Sequence, residues 1–255
     1  MTDTSRHAVT RMRHEGARRR TLTVAGTEML GAHMLRIRFA SDDLADFDSP
    51  SPDDHVKLFL PGAGRDADGR PAMRDYTPRA WDKAAGTFVL DFALHEAGPA
   101  TAWATAAQPG DTIQIGGPRG SQVLSDDFDW YLLIGDETAI PAIARRIEGL
   151  RAHVPVTALI AAEGPDDRFD LPEREGLDVR WSFRSDGAGD TVRLADQIGD
   201  TLPPGEGFVW IAAEASVARA LRSHVIDVLG HPRAWVKAAG YWTRGQADAH
   251  ERIED

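Results

Sequence analysis

One change of pattern limits the fold of this chain more than any other feature: apolar residues are spaced one way before Ser125-Asp126-Asp127-Phe128-Asp129 and another way after it. From Thr21 to about Gly117, short runs alternate apolar and polar residues and are separated by turn residues. Leu22-Thr23-Val24, Leu35-Arg36-Ile37-Arg38-Phe39, His55-Val56-Lys57-Leu58-Phe59-Leu60, Phe88–Leu94 and Thr112–Ile115 are the clearest. A period of two with regular turns predicts strands with one buried face, hence an antiparallel barrel or sandwich. Pro99 to Ala107 interrupts this as a helix, opened by Gly98-Pro99 and stopped before Pro109-Gly110.

Beyond the acidic stretch, continuous apolar runs alternate with helical ones. Trp130–Ile134, Val156–Ala161, Val179–Phe183 and Phe208–Ala212 read as strands, with a last strand near Val236. Helices are expected from about Ala139 to Ala152, near Thr191–Ile198 and over Ser216–Leu229. Strands that are apolar throughout and separated by helices imply a parallel sheet covered on both faces. The expected architecture is two-domain, β then α/β: an antiparallel β-barrel over residues 18–124 and a doubly wound parallel sheet over 129–245, with 125–129 as the linker. Such a sheet offers a ligand crevice at the carboxyl ends of its strands, against which a barrel can hold a second ligand.

Composition removes several functions. Without cysteine there are no disulfides, thiolate metal sites, Cys nucleophiles or fused [2Fe–2S] domain. A net charge of −11 argues against nucleic acid as partner. The first twenty residues lack the apolar core of a signal peptide, and no run approaches the roughly 20 apolar residues that span a bilayer. A soluble, cytoplasmic protein with no membrane partner is expected, with a monomer as the default. Arg11 to Arg20, ending in Arg18-Arg19-Arg20, reads as a solvated terminal arm rather than an anion site, and the acidic tail from Asp248 reads as solvated too.

Two stretches carry candidate chemistry. Arg74-Asp75-Tyr76-Thr77-Pro78-Arg79 places a guanidinium fork, an aromatic ring and a hydroxyl within four residues. On an extended backbone these suit one elongated ligand such as a flavin with its phosphates, and they also suit an ordinary β-edge. Downstream, Asp91-Phe92-Ala93-Leu94-His95-Glu96-Ala97-Gly98-Pro99-Ala100-Thr101 runs from a strand through a Gly-Pro turn into a helix start. The N–H groups of Ala100 and Thr101 are placed for a pyrophosphate, with the Thr101 hydroxyl and His95 as further donors; taken alone, the stretch also reads as a satisfied surface histidine at a capped helix.

With these go Asp54-His55-Val56-Lys57-Leu58-Phe59, Gly117-Pro118-Arg119-Gly120-Ser121, Gly135-Asp136-Glu137-Thr138 with Ile140-Pro141-Ala142, and Ala239-Gly240-Tyr241-Trp242. In this order, over nearly the whole chain, the blocks resemble the siderophore-interacting protein family, FAD-dependent ferric-siderophore reductases related to ferredoxin–NADP reductases. The resemblance implies FAD on the barrel, with Arg74 on its phosphates, Tyr76 against the isoalloxazine or ribityl chain, and Thr77 near flavin N5. Asp91, Phe92, His95, Pro99, Ala100 and Thr101 complete that set.

For the second domain the resemblance implies NADH or NADPH near Asp136, Glu137 and Thr138, with reduced ferredoxin as another possible donor. Glu137 stands where many reductases keep a glycine, and an acidic side chain there repels phosphates. Trp242 either borders the flavin or completes the packing of the last strand. Around the substrate the resemblance implies a basic triad, Lys57, Arg119 and Lys237, for an anionic ferric siderophore, with Arg244 as a fourth candidate. Taken singly, these also read as a sheet-face lysine, a turn arginine and a strand-edge lysine. No resident metal site is implied, since iron is the substrate. The alternatives are a reductase component serving an oxygenase or other protein acceptor, and a non-catalytic siderophore-binding module.

Overall fold

The computed structural model describes residues 6–15, 17–62, 72–94, 98–245 and 251–253. Two compact units emerge, Val9–Leu124 and a second from Ser125 onward that includes residues 6–8.

The first unit holds strands β1 (Val9–Arg13), β2 (Arg19–Met29), β3 (Met34–Ala40), β4 (Val56–Phe59), β5 (Met73–Tyr76), β6 (Ala80–Asp82) and β7 (Thr87–Ala93), helix α1 (Pro99–Ala106), then β8 (Thr112–Gly116) and β9 (Gly120–Leu124). Seven strands form one antiparallel sheet in the order β5-β4-β8-β2-β3-β7-β6. β5 and β6 are its opposite edges, yet only Thr77-Pro78-Arg79 joins them. So short a link forces the sheet to curl until its edges approach, and the ring of Tyr76 on β5 lies 4.5 Å from that of Phe92 on β7. The expected barrel is thus a curled sheet in which one edge, β5, meets β7, the strand beside the other edge, through side chains. Its core of Leu22, Ile37, Phe39, Phe47, Leu58, Phe88, Leu90 and Phe92 is fully buried, each such side chain contributing about 1.5–3 kcal/mol.

The Arg11–Arg20 segment departs from expectation. β1 pairs antiparallel with β9, Arg13 opposite Gly120, and the arginines that follow are docked. Arg18 pairs with Asp43 and Asp46, and Arg19 lies 4.0 Å over the Phe59 ring. Arg20 is 2% exposed, bonding Asp46 at 3.0 Å and lying over the Phe47 ring. All five β1 residues are exposed, so backbone pairing alone holds the strand and no alternation announces it.

The second unit runs β10 (Trp130–Gly135), α2 (Ile140–Gly149), β11 (Val156–Ala162), β12 (Leu177–Phe183), α3 (Asp190–Ile198), β13 (Gly207–Glu214), α4 (Ala215–Ser223), β14 (Val236–Trp242) and β15 (Glu251–Arg252). The sheet order is β12-β11-β10-β13-β14-β15, parallel except for the last strand. Every residue of β10 and β13 is buried, as expected of central strands covered on both faces. The order reverses between these two strands, which puts a ligand crevice outside their carboxyl ends. Residues 125–129 are no loose tether: Phe128 is buried under the ring of His7, stacked at 3.7 Å, and His7 Nδ1 lies 2.8 Å from Asp127. Among the described residues no helix is long and apolar enough to cross a membrane.

Candidate functional site

In the β4–β5 pair, Val56 stands opposite Tyr76, Lys57 opposite Asp75 and Leu58 opposite Arg74. Directly opposed residues share a face, and Val56 and Leu58 are fully buried. Arg74 and Tyr76 therefore lie on the core-facing side of the pair, with Lys57 and Asp75 on the other. Burial pushes the Tyr76 phenol well above its ordinary value, partly opposed by the charge of Arg74. Thr77, next in the chain, is buried as well. The Arg74 guanidinium donates to the Met73 carbonyl at 2.7 Å.

Asp91 and Phe92 lie on β7. Asp91 is 4% exposed and faces Arg36 of β3, whose guanidinium takes both carboxylate oxygens at 2.7 Å. That fork makes a buried carboxylate tolerable there. Phe92 packs between Tyr76 and Trp103 of α1, the latter 6.1 Å away. The helix begins with Gly98 at its N-cap and Pro99 in its first turn, so no side chain caps it, and Ala100 is buried beneath. An N-terminus of this kind favours an anion. Thr101 is half-buried in the same turn. His95 lies outside the described residues.

The three cations expected around the substrate differ. Lys57 is paired: its Nζ donates to Asp75 Oδ2 at 2.7 Å, and His55 Nε2 is 4.0 Å from the same carboxylate. It stands opposite Gly116 of β8, so the Gly117-Pro118-Arg119 turn departs from beside it. Arg119 is exposed, and its carbonyl accepts from the His14 N–H at 3.1 Å. Lys237 lies in the second unit, on β14 opposite Trp210. Arg244 donates its backbone N–H to Glu214 at 3.3 Å, with its side chain exposed.

In the loop after β10, Asp136 is fully buried and accepts four hydrogen bonds. Oδ1 takes the Thr138 N–H at 3.0 Å and its hydroxyl at 2.5 Å; Oδ2 takes the Glu214 N–H at 2.9 Å and the Trp242 indole at 2.8 Å. Burial raises its pKa, and the donors draw it back. Expected to touch a cofactor, Asp136 has no exposed surface with which to do so. It ties the ends of β10, β13 and β14 together at the crevice instead, and it holds the Trp242 indole.

Glu137 is also buried, and it is not the lone repelling charge expected. Arg184 binds both of its oxygens, one of them at 3.0 Å, and also binds Asp190 at 2.7 Å. Burial and then the charge of Asp136 raise the Glu137 pKa, with Arg184 opposing. At Gly135, an added Cβ would sit 2.5 Å from Ala139 Cβ and 2.8 Å from the Ala212 carbonyl. The loop turns this tightly only because that side chain is missing.

Residues 23–69 and 65–122 match the siderophore-interacting FAD-binding domain, and residues 128–245 match the family described as siderophore-interacting protein. An NADPH-dependent ferric-chelate reductase of Escherichia coli (strain K12) is 33% identical over 88% of this chain and 92% of that protein. The chain belongs to the siderophore-interacting protein family. Its relatives include the ferric vibriobactin reductase of Vibrio cholerae serotype O1, 26% identical over 89% of this chain and 90% of that one. The crystal structure of a siderophore utilization protein from T. fusca superimposes with a TM-score of 0.84 at 31% identity, covering 95% of this chain and 98% of that one.

For a siderophore-interacting protein the first unit fits FAD in three respects. It has a helix start whose cap residue has no side chain, an aromatic ring packed on Phe92 of β7, which in turn touches Trp103 of that helix, and a cation two residues before the ring. Sequence reasoning missed the partners that decide the charge balance of this family member: Arg36 for Asp91, Asp75 for Lys57 and Arg184 for Glu137. Only Asp75 had a signal, since it sits inside the Arg-x-Tyr-Thr stretch. The other two pairings span 55 and 47 residues and leave no local trace.

Proposed function

We propose that this chain is an FAD-dependent reductase that passes electrons from NADH or NADPH to Fe(III) held by a siderophore, so that the metal leaves as Fe(II). The observation that carries this reading is the near end-to-end likeness to a ferric-chelate reductase. Residues 18–124 are the FAD-binding domain and 129–245 the NAD(P)H-binding-like domain.

A bound flavin supplies the conversion of a two-electron donor into one-electron steps. The chain's own residues bind, orient and shield. Arg74 and the first-turn N–H groups of Ala100 and Thr101, with Pro99 fixing the helix start, hold the phosphates. Tyr76 excludes water with its ring, and the Thr77 hydroxyl donates a hydrogen bond to the reactive ring system. Asp91, held by Arg36, fixes the strand that carries Phe92. Glu137, Thr138 and Trp242, set in place by Asp136, frame the donor. Lys57, Arg119 and Lys237 attract anionic ferric complexes, which raises encounter rates on a chain of net charge −11. Electron transfer to iron needs no acid or base, and Fe(II) is held far more weakly than Fe(III) by oxygen-rich ligands.

Reduced ferredoxin is a second donor in this reading, favoured by the internal pairing of Glu137 where a nicotinamide donor would place its phosphates. The protein acts as a monomer in the cytoplasm. The test is to purify the chain, reconstitute it with FAD and follow Fe(II) capture by a ferrous chelator, without oxygen, under NADH, NADPH or reduced ferredoxin. No flavin absorbance after reconstitution would sink the proposal, and flavin that no donor reduces would leave only siderophore binding.

A further inference from the structure

Beneath the Arg119 turn runs a buried chain of hydrogen bonds that none of the roles above uses. Asp54, 5% exposed, stands three residues before Lys57. Its Oδ2 accepts the Ser121 hydroxyl at 2.6 Å, the Ser51 N–H at 3.0 Å and the Ser49 hydroxyl at 3.2 Å. Ser121, 4% exposed and two residues past Arg119, has one hydroxyl proton, which goes to that carboxylate. The His14 Nε2, 2.7 Å from the same oxygen, is therefore the donor to it. His14 also holds Arg119 through its own N–H on the Arg119 carbonyl, and Arg20 reaches the Gly117 carbonyl at 3.5 Å.

β1 is built against this turn. A Cβ at Gly120 would meet the Met12 carbonyl at 2.6 Å, so only glycine lets the two backbones approach this closely. One relay, His14 to Ser121 to Asp54, thus links the segment before Lys57 to the turn that carries Arg119, and its outer end is a residue of the N-terminal segment.

We propose that His14 is a positioning residue for substrate recognition: through Ser121 and Asp54 it holds Lys57 and Arg119 in one fixed arrangement suited to an anionic ferric complex. This rests on the reading of Arg119 as a substrate cation. Loss of the relay frees the turn without removing either charge. The effect falls on KM for anionic substrate and leaves electron uptake by the flavin alone.

The experiment compares two probes on the FAD-loaded full chain, ferric citrate as the anionic complex and a neutral ferric trihydroxamate. His14→Ala is expected to raise KM for ferric citrate about threefold to tenfold, the range of one lost hydrogen bond. KM for the trihydroxamate, flavin content and the rate of flavin reduction stay unchanged. His14→Gln, which keeps a donor, restores most of the loss, and Ser121→Ala, cutting the relay from its other side, reproduces it. Arg119→Ala separates the two ideas. If it raises KM for ferric citrate while His14→Ala and Ser121→Ala do not, the positioning role is overturned and the substrate reading stands. If Arg119→Ala itself changes nothing, both fall. Equal rises for the two probes in His14→Ala also overturn the proposal, since they mark a general structural role.

Discussion

β5 with the start of α1, and the loop from Gly135 to Thr138, gather charged and polar groups at two candidate ligand positions and treat them in opposite ways. In the loop the acidic groups already have partners: Asp136 takes four donors, and Glu137 is gripped by Arg184. At α1 the cap position is Gly98, which offers no side chain of its own to the helix start. A group satisfied within the protein gains little from a ligand, whereas one left for a ligand gains most. Under the proposed function, the contrast separates a site that keeps a cofactor from one that receives a donor briefly.

The comparison is sharpest where each region is given the other's condition. Arg36→Ala leaves Asp91 as a buried, unpaired charge in the first unit, and a loss of about 3–5 kcal/mol in urea unfolding is expected. A much smaller loss means that the carboxylate is serving a ligand and not the fold. Asp136→Ala strips acceptors from the Glu214 N–H, the Thr138 N–H and the Trp242 indole together, and about 3 kcal/mol is expected. Tyr76→Ala weakens FAD retention about tenfold, measured by flavin fluorescence on dilution, and costs about 2–3 kcal/mol through the lost packing on Phe92. Should it instead unfold the unit, the ring belongs to the barrel's closure more than to the cofactor.

The smallest effect concerns Glu137. Glu137→Gln lowers KM for NADH or NADPH about threefold by removing a charge from the donor's phosphates, an estimate for a screened like-charge contact. It also alters stability against pH. The folded-state pKa of Glu137 is raised above its ordinary 4.5, so the native state holds the proton more tightly than the unfolded chain. Stability from this group is therefore full below about pH 4.5 and is lost as pH rises through the folded value. Glu137→Gln should flatten that decline, read from urea midpoints at increasing pH; an unchanged slope assigns the titration to Asp136.

Much of the architecture was legible because burial writes a pattern. β10 and β13 are buried at every residue and read as apolar runs, while β3 and the first half of β2 carry the alternation of half-buried strands. β1 was illegible for the converse reason, being exposed throughout and held by its backbone. Arg20 hid inside a run of three arginines, since composition cannot tell the one that is buried from the two beside it. In the candidate site, residue types and their order could be read from the chain. Charge compensation could not, because Arg184 and Glu137 meet only when β12 lies beside β11 and β11 beside β10.

The contact of Tyr76 with Phe92 has a consequence for how such a protein can vary. Strand order in the curled sheet is set by six hydrogen-bonded pairings, none of which involves both edges. One edge, β5, instead meets β7, the strand beside the other edge, through rings, which have volume but no register. Changes of side-chain size along that seam would therefore alter the calibre of the barrel while leaving its weave intact, so one topology can tolerate cores of different volume without relearning how to fold.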